Sequence, residues 1–182
     1  LTLCIFARFA SADETLSFDY AAYINFFTAL QDYPLQELLT SKLNIPYIAI
    51  EGSVAFEAGF TLLAKFFTTF LSDAKITYAA LASLSAGVRI YVMRRLHAPW
   101  PWVLIINIYA ITLFEANALR LGIASSLIIF GLLKLTQNKS NQALILICSS
   151  TLIHLQAALF ITPLIAAWPF INKISKTRTK LA

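Results

Sequence analysis

Apolar residues run along this chain in long blocks rather than in the short alternations of a half-exposed sheet. Five blocks read as membrane-embedded helix. They are the stub Leu1–Ala7, Ile76–Met93 with Arg89 near one end, the uncharged Trp100–Phe114 and Leu121–Leu133, and Ala143–Ile171, which holds His154. A helix crosses the hydrocarbon core with about 20 residues, and with fewer where its ends snorkel or the bilayer thins. Two other segments carry helical periodicity with unlike faces. Along Phe18–Gln31, Asn25, Thr28 and Asp32 recur on one side of an aromatic-rich stretch. Along Glu57–Ser72, a polar stripe of Thr61, Lys65, Thr68, Thr69 and Ser72 opposes Phe60, Leu63, Phe67 and Phe70. That period predicts helices lying at the interface or packed at the protein's edge. For Glu57–Ser72 the alternative is a short transmembrane helix facing its neighbours.

Composition supports lipid as the solvent. Of 182 residues, 59% are hydrophobic and 13% charged, with mean hydropathy +0.73, against roughly half apolar and about a quarter charged in soluble domains. The fold class predicted is all-α: a polytopic transmembrane helical bundle, with interfacial amphipathic helices on the outer face. The chain, residues 1–182, reads as a single membrane domain. It opens on apolar Leu1-Thr2-Leu3-Cys4-Ile5-Phe6 without a basic n-region or cleavage site. It is therefore expected to be a fragment, with half of its first helix and further C-terminal helices outside it. The formal charge of +5 sits beside apolar spans, as membrane topology requires, so nucleic acid is not the partner. Cys4 and Cys148 fall in apolar stretches and read as packing residues rather than a disulfide.

Charge then orients the bundle. Arg94, Arg95 and His97 follow one span, Lys134 and Lys139 another, and Lys173, Lys176, Arg178 and Lys180 close the chain. The positive-inside rule places all three groups in the cytoplasm. This works if Glu57–Ser72 does not cross and if the last block turns back near His154–Gln156 or beyond Pro163. The same arrangement puts Arg8, Asp19, Glu57, Asn117, Arg120 and His154 at the external face. It puts the Asn138-Lys139-Ser140 sequon inside, where it is a chance match.

Ionisable residues among membrane spans are costly and mark functional sites by default. Arginine offers a planar fork for phosphate oxygens and stays charged, while a carboxylate or imidazole can take a proton from a hydroxyl. Asp19 and Tyr23 share a helix face, as do Asn117 and Arg120. Each residue also has a plainer reading. Arg120 snorkels to headgroups, Glu57 complements a helix dipole, His154 is an interior histidine, and Arg8 pairs with Asp19. No phosphate-binding glycine loop, paired-cysteine motif, zinc-binding HExxH or nucleophile elbow is present.

The segments Phe18-Asp19-Tyr20-Ala21-Ala22-Tyr23, Phe56-Glu57-Ala58-Gly59-Phe60, Asn117-Ala118-Leu119-Arg120 with Gly122-Ile123-Ala124, and Ile153-His154 come in the order and spacing that resemble the EpsG-like family of Wzy-type membrane polymerases. Those act in exopolysaccharide, capsule and O-antigen synthesis. The family pattern has a proline where this chain has Ala58, a glutamine where it has Leu121 and a serine where it has Gln156. Arg8 also lies farther from Asp19 than is usual there. The resemblance implies a GT-C-like architecture and glycosyl transfer between undecaprenyl-pyrophosphate-linked glycans at the outer face of the bacterial inner membrane, without a cofactor. It implies catalytic roles for Glu57, Arg120 and His154, and substrate binding by Arg8, Asp19, Tyr23 and Asn117. A chain-length regulator and a flippase of the same pathway are the implied partners. The competing expectations are a transporter or flippase of lipid-linked glycans, and a structural subunit.

Overall fold

The computed structural model describes residues 2–12, 18–34, 38, 47–48, 56–111, 118–159 and 161–162. The described chain is helical: α1 (Thr2–Ala10), α2 (Phe18–Asp32), α3 (Ala58–Phe70), α4 (Ala74–Arg95), α5 (Trp100–Ala110), α6 (Leu119–Thr136) and α7 (Ser140–Ile153). Two extended dipeptides, β1 (Tyr47–Ile48) and β2 (Phe56–Glu57), pair antiparallel with Tyr47 opposite Glu57. This small ladder departs from a purely helical expectation, and it fixes the backbone of Glu57.

Among the described residues two helices are long and apolar enough to cross a membrane, α4 with 22 residues and α6 with 18. At 1.5 Å per residue they are about 33 and about 27 Å long, close to the hydrocarbon thickness of about 30 Å. The ends of α4 follow from its sequence. Asp73 caps its start by accepting the Ile76 N–H at 3.0 Å. Arg94 and Arg95 occupy its last turn, where the dipole is negative. His97 then turns left-handed at φ 59°, and the Ala98 N–H returns to the Met93 carbonyl at 3.0 Å. A second left-handed residue, Asn138 at φ 59°, reverses the chain between α6 and α7. There Gly131 lets α7 approach so closely that a Cβ would meet Ile147 Cγ1 at 2.6 Å.

Helix α4 packs on α1 and on α6. Ser85 shares a 3.0 Å hydrogen bond with Ser126, and Tyr91 meets Phe130 edge-on at 6.1 Å, so α4 and α6 run in the same direction. Arg94 and Arg95 therefore lie at the same end as Lys134 and the α6–α7 turn. Arg89 is buried between the two helices, with Nη1 donating to Ser85 at 3.0 Å and to Ser126 at 3.3 Å. A buried aromatic core of Phe9, Tyr20, Tyr23, Phe26, Phe27, Phe56, Phe60 and Tyr78 joins α1, α2, α3 and α4. Outside that core many large apolar side chains are exposed. Trp102, Ile105, Ile108 and Tyr109 on α5 are all exposed, as a lipid-facing helix requires.

Several expectations change here. The Glu57–Ser72 helix is present, but its polar stripe turns partly inward. Thr61 and Thr68 are buried; of the opposing face Phe60 is buried, Leu63 and Phe67 are half-buried against the core, and Phe70 is 71% exposed, as is Phe66 at 60%. Each threonine hydroxyl donates to a carbonyl of its own helix, Thr61 to Glu57 at 3.1 Å and Thr68 to Lys65 at 3.1 Å. Lys65 Nζ reaches the free carbonyls ending α2, Leu30 at 2.9 Å and Gln31 at 3.1 Å. With these groups satisfied, the stripe can pack inside. Cys4 and Cys148 are free thiols, but both are exposed rather than packed. The last block breaks at His154, and helical backbone resumes at residue 157. Residues 112–114 of the Trp100–Phe114 block, residues 163–171 of the last block, and the basic cluster Lys173, Lys176, Arg178 and Lys180 lie outside the described residues.

Candidate functional site

Three helix ends meet at one point. Glu57 occupies the N-cap position of α3, with an extended backbone at φ −58°, ψ 141°. Its side chain makes no cap bond to its own helix and is free to reach across. Arg120 is the second residue of α6, and His154 is the extended C-cap of α7 at φ −153°, ψ 112°. Glu57 Oε2 accepts from Arg120 Nη1. Glu57 Oε1 accepts from His154 Nδ1 at 3.0 Å and from the Leu155 backbone N–H at 3.2 Å. One carboxylate thus gathers residues 63 and 97 positions away.

Tyr23 completes the cluster. Its hydroxyl accepts the Arg120 backbone N–H at 3.3 Å and Arg120 Nε at 3.2 Å. The first of these bonds satisfies one of the N–H groups left unpaired at the start of α6. The guanidinium also lies over the Phe56 ring, 4.6 Å from its centroid. Held at Nε, Nη1 and one face, Arg120 has only Nη2 left without a partner among the described residues. Its side chain is 24% exposed and that of His154 12%, against 3% for Glu57. The arginine and histidine are therefore reachable, and the carboxylate that holds them is not.

Burial pushes the Glu57 pKa upward. The His154 bond, a backbone N–H and the Arg120 charge outweigh it, holding the carboxyl at about 2. An ionised carboxylate only accepts hydrogen bonds, so Nδ1 carries a proton, and in the neutral ring Nε2 keeps the lone pair. Nε2 lies 3.3 Å from the end of the Gln156 amide, whose NH2 group donates to a neutral ring when the amide is turned.

Close packing makes this meeting possible. A Cβ on Gly59 would lie 2.6 Å from the Leu152 carbonyl oxygen and 2.7 Å from Leu152 Cβ. Only glycine lets α3 start against the end of α7 at that separation. The cluster also sits far from the basic turn. Arg120 and Lys134 are separated by about 21 Å of α6 at 1.5 Å per residue.

A model of the EpsG family matches residues 1–182. The chain belongs to the EpsG family. Membership ties it to exopolysaccharide biosynthesis and agrees with its apolar helices. No curated protein and no solved structure gives a significant match.

For this EpsG-family member the candidate residues separate into groups. Glu57, Arg120, His154 and Tyr23 are in contact. Asp19 is exposed in the first turn of α2, one turn before Tyr23. Arg8 is exposed at the end of α1, and no hydrogen bond or ion pair joins it to Asp19 or to the cluster among the described residues. Asn117 lies outside the described residues. Ala58, at the family's proline position, is the first residue of α3, where proline is favoured but alanine also suits a helix. Phe56 and the Leu155 N–H were not candidates from sequence. The signal for Phe56 was an aromatic ring adjoining the glutamate of the motif.

Proposed function

We propose that this chain is a Wzy-type polysaccharide polymerase, a glycosyltransferase acting at the outer face of the bacterial inner membrane within a multi-pass, GT-C-like bundle. It moves a growing glycan from undecaprenyl pyrophosphate onto the non-reducing end of another lipid-linked repeat unit. The observation that carries this reading is the convergence of Arg120 and His154 on the Glu57 carboxylate, at the end of α6 away from the basic turn.

The reaction needs positive charge on a leaving pyrophosphate and a base for an incoming hydroxyl. Arg120 meets the first need through Nη2, at the positive end of α6, where helix dipole and guanidinium act together. His154 meets the second. With its pKa at about 2, Glu57 is a poor proton acceptor at neutral pH, and its oxygens are already engaged. It acts instead as the group that orients the imidazole. The acceptor hydroxyl takes the place of the Gln156 amide beside the neutral ring's Nε2, its oxygen bonds to the anomeric carbon, and its proton passes to Nε2. The anomeric carbon–oxygen bond breaks, and the pyrophosphate leaves with the electron pair. The donor is activated by its own pyrophosphate, so the step calls for no cofactor. Arg8, Asp19, Tyr23 and Asn117 belong to the substrate-binding side of the proposal, and a flippase and a chain-length regulator are its partners in the pathway.

The test is Arg120→Ala in the native strain. Loss of long-chain polysaccharide is expected, with the protein still in the membrane and single repeat units accumulating on lipid carrier at the outer face. A normal chain-length ladder from that variant refutes the reading. Repeat units trapped on the inner side favour a flippase instead.

A further inference from the structure

Phe56 is 3% exposed and lies under the Arg120 guanidinium. Its own position is over-determined. Tyr23 stacks on it with centroids 5.2 Å apart and planes 15° from parallel. Phe26 meets it edge-on at 4.4 Å, and Phe60 packs against it at 5.5 Å. Its backbone is pinned in the ladder opposite Ile48. Arginine has a long, rotamer-rich side chain, and the bonds at Nε and Nη1 leave it free to tilt about the line joining them. A ring beneath the guanidinium removes that freedom and supplies attraction that grows as water is excluded.

We propose that Phe56 is a positioning residue for anion binding, holding the Arg120 plane so that Nη2 faces the phosphate of a pyrophosphate-linked lipid. The inference rests on the polymerase reading, because it takes Arg120 as the group that meets the pyrophosphate. Nothing about it requires Phe56 to touch substrate. Its effect passes through Arg120, and this separates it from a residue that merely fills the aromatic core. Removing the ring should therefore matter when Arg120 is present and be silent when it is absent.

A double-mutant cycle reads this directly. Binding of undecaprenyl pyrophosphate to the detergent-purified chain is measured for the wild type, Phe56→Leu, Arg120→Gln and the double variant. Phe56→Leu is expected to weaken binding about tenfold to thirtyfold, with no further loss once Arg120 is replaced. Equal loss in both backgrounds overturns the positioning role and leaves Phe56 as core packing. If Arg120→Gln itself binds as well as wild type, the polymerase reading of Arg120 fails first. Should Phe56→Leu fail to accumulate, replacing Phe56 by its 3,4,5-trifluoro analogue keeps the shape and withdraws electrons from the ring face. Weakened binding by the fluorinated chain supports the proposal, and unchanged binding overturns it.

Discussion

Gly59→Ala is the sharpest test of how the site is assembled. The added Cβ would meet the Leu152 carbonyl oxygen at 2.6 Å, Leu152 Cβ at 2.7 Å and the Leu152 carbonyl carbon at 2.8 Å. All three are backbone or backbone-adjacent atoms, so no side chain can swing away. Ordinary contact begins near 3.4 Å, and α3 must draw back from α7 by about 0.8 Å. Glu57 lies two residues before Gly59, and His154 two residues after Leu152, so the movement opens the gap between them. The Nδ1–Oε1 distance of 3.0 Å and the Leu155 bond of 3.2 Å both lengthen past hydrogen-bond range. Overpacking of this kind costs about 1–3 kcal/mol of stability, and a 1 Å misplacement of reacting groups costs about a hundredfold in rate. The expected phenotype is therefore short or absent polysaccharide from protein that still inserts, with a modestly lowered unfolding temperature in detergent. Gly87→Ala is the control, because its Cβ meets only the Thr2 methyl at 3.2 Å. A wild-type chain-length ladder from Gly59→Ala refutes the reasoning, as does an equal defect in Gly87→Ala.

Three further outcomes follow from the contacts. The Glu57 carboxyl is held at about 2 against an ordinary 4.5. Its stabilising contribution is thus complete above pH 4.5 and is lost as pH falls toward 2. Thermal unfolding in detergent should show that acid loss in the wild type, and Glu57→Gln should flatten it. Tyr23→Phe keeps the stacked ring but removes the acceptor for two Arg120 N–H groups. It should cost about 1–2 kcal/mol and reduce polymer formation, measured as melting temperature and ladder length. Lys65→Met removes the donor to the Leu30 and Gln31 carbonyls. It should destabilise the chain by about 1–3 kcal/mol, seen as a lower melting temperature, while polymer made per molecule of folded protein stays unchanged.

Much of the fold was legible because hydrophobic blocks and helix lengths report directly on burial in lipid. The blocks at Ile76–Met93 and Leu121–Leu133 fall within α4 and α6, and the last block breaks at His154, one of the two places where the charge pattern put a turn, though the basic tail that a hairpin would return lies outside the described residues. Glu57, Arg120 and His154 stood out because ionisable groups are rare beside such blocks. Their contact was not legible, since it depends on Gly59 and on the length of the α6–α7 hairpin, which brings residue 154 back to residue 120. Arg8 carried the same charge signal as Arg120, yet α1 leaves it exposed and, among the described residues, without a bond to the cluster, because charge and spacing do not specify which helix ends meet. Helix α3 shows a deeper limit. Its periodicity named a polar and an apolar stripe, yet both enter the interior, Thr61 and Thr68 from one and Phe60, Leu63 and Phe67 from the other. In water the apolar face goes in. Beside lipid, exposing Phe66 and Phe70 carries little penalty, and hydroxyls bonded to their own helix can be buried. Lys65 then finds its partners in the carbonyls ending α2, a demand created by the tertiary fold and absent from the pattern of α3 itself. The guanidinium over Phe56 is a similar case. An aromatic beside a motif glutamate reads as core until the arginine arrives from another helix, and only their juxtaposition gives the ring an electrostatic role.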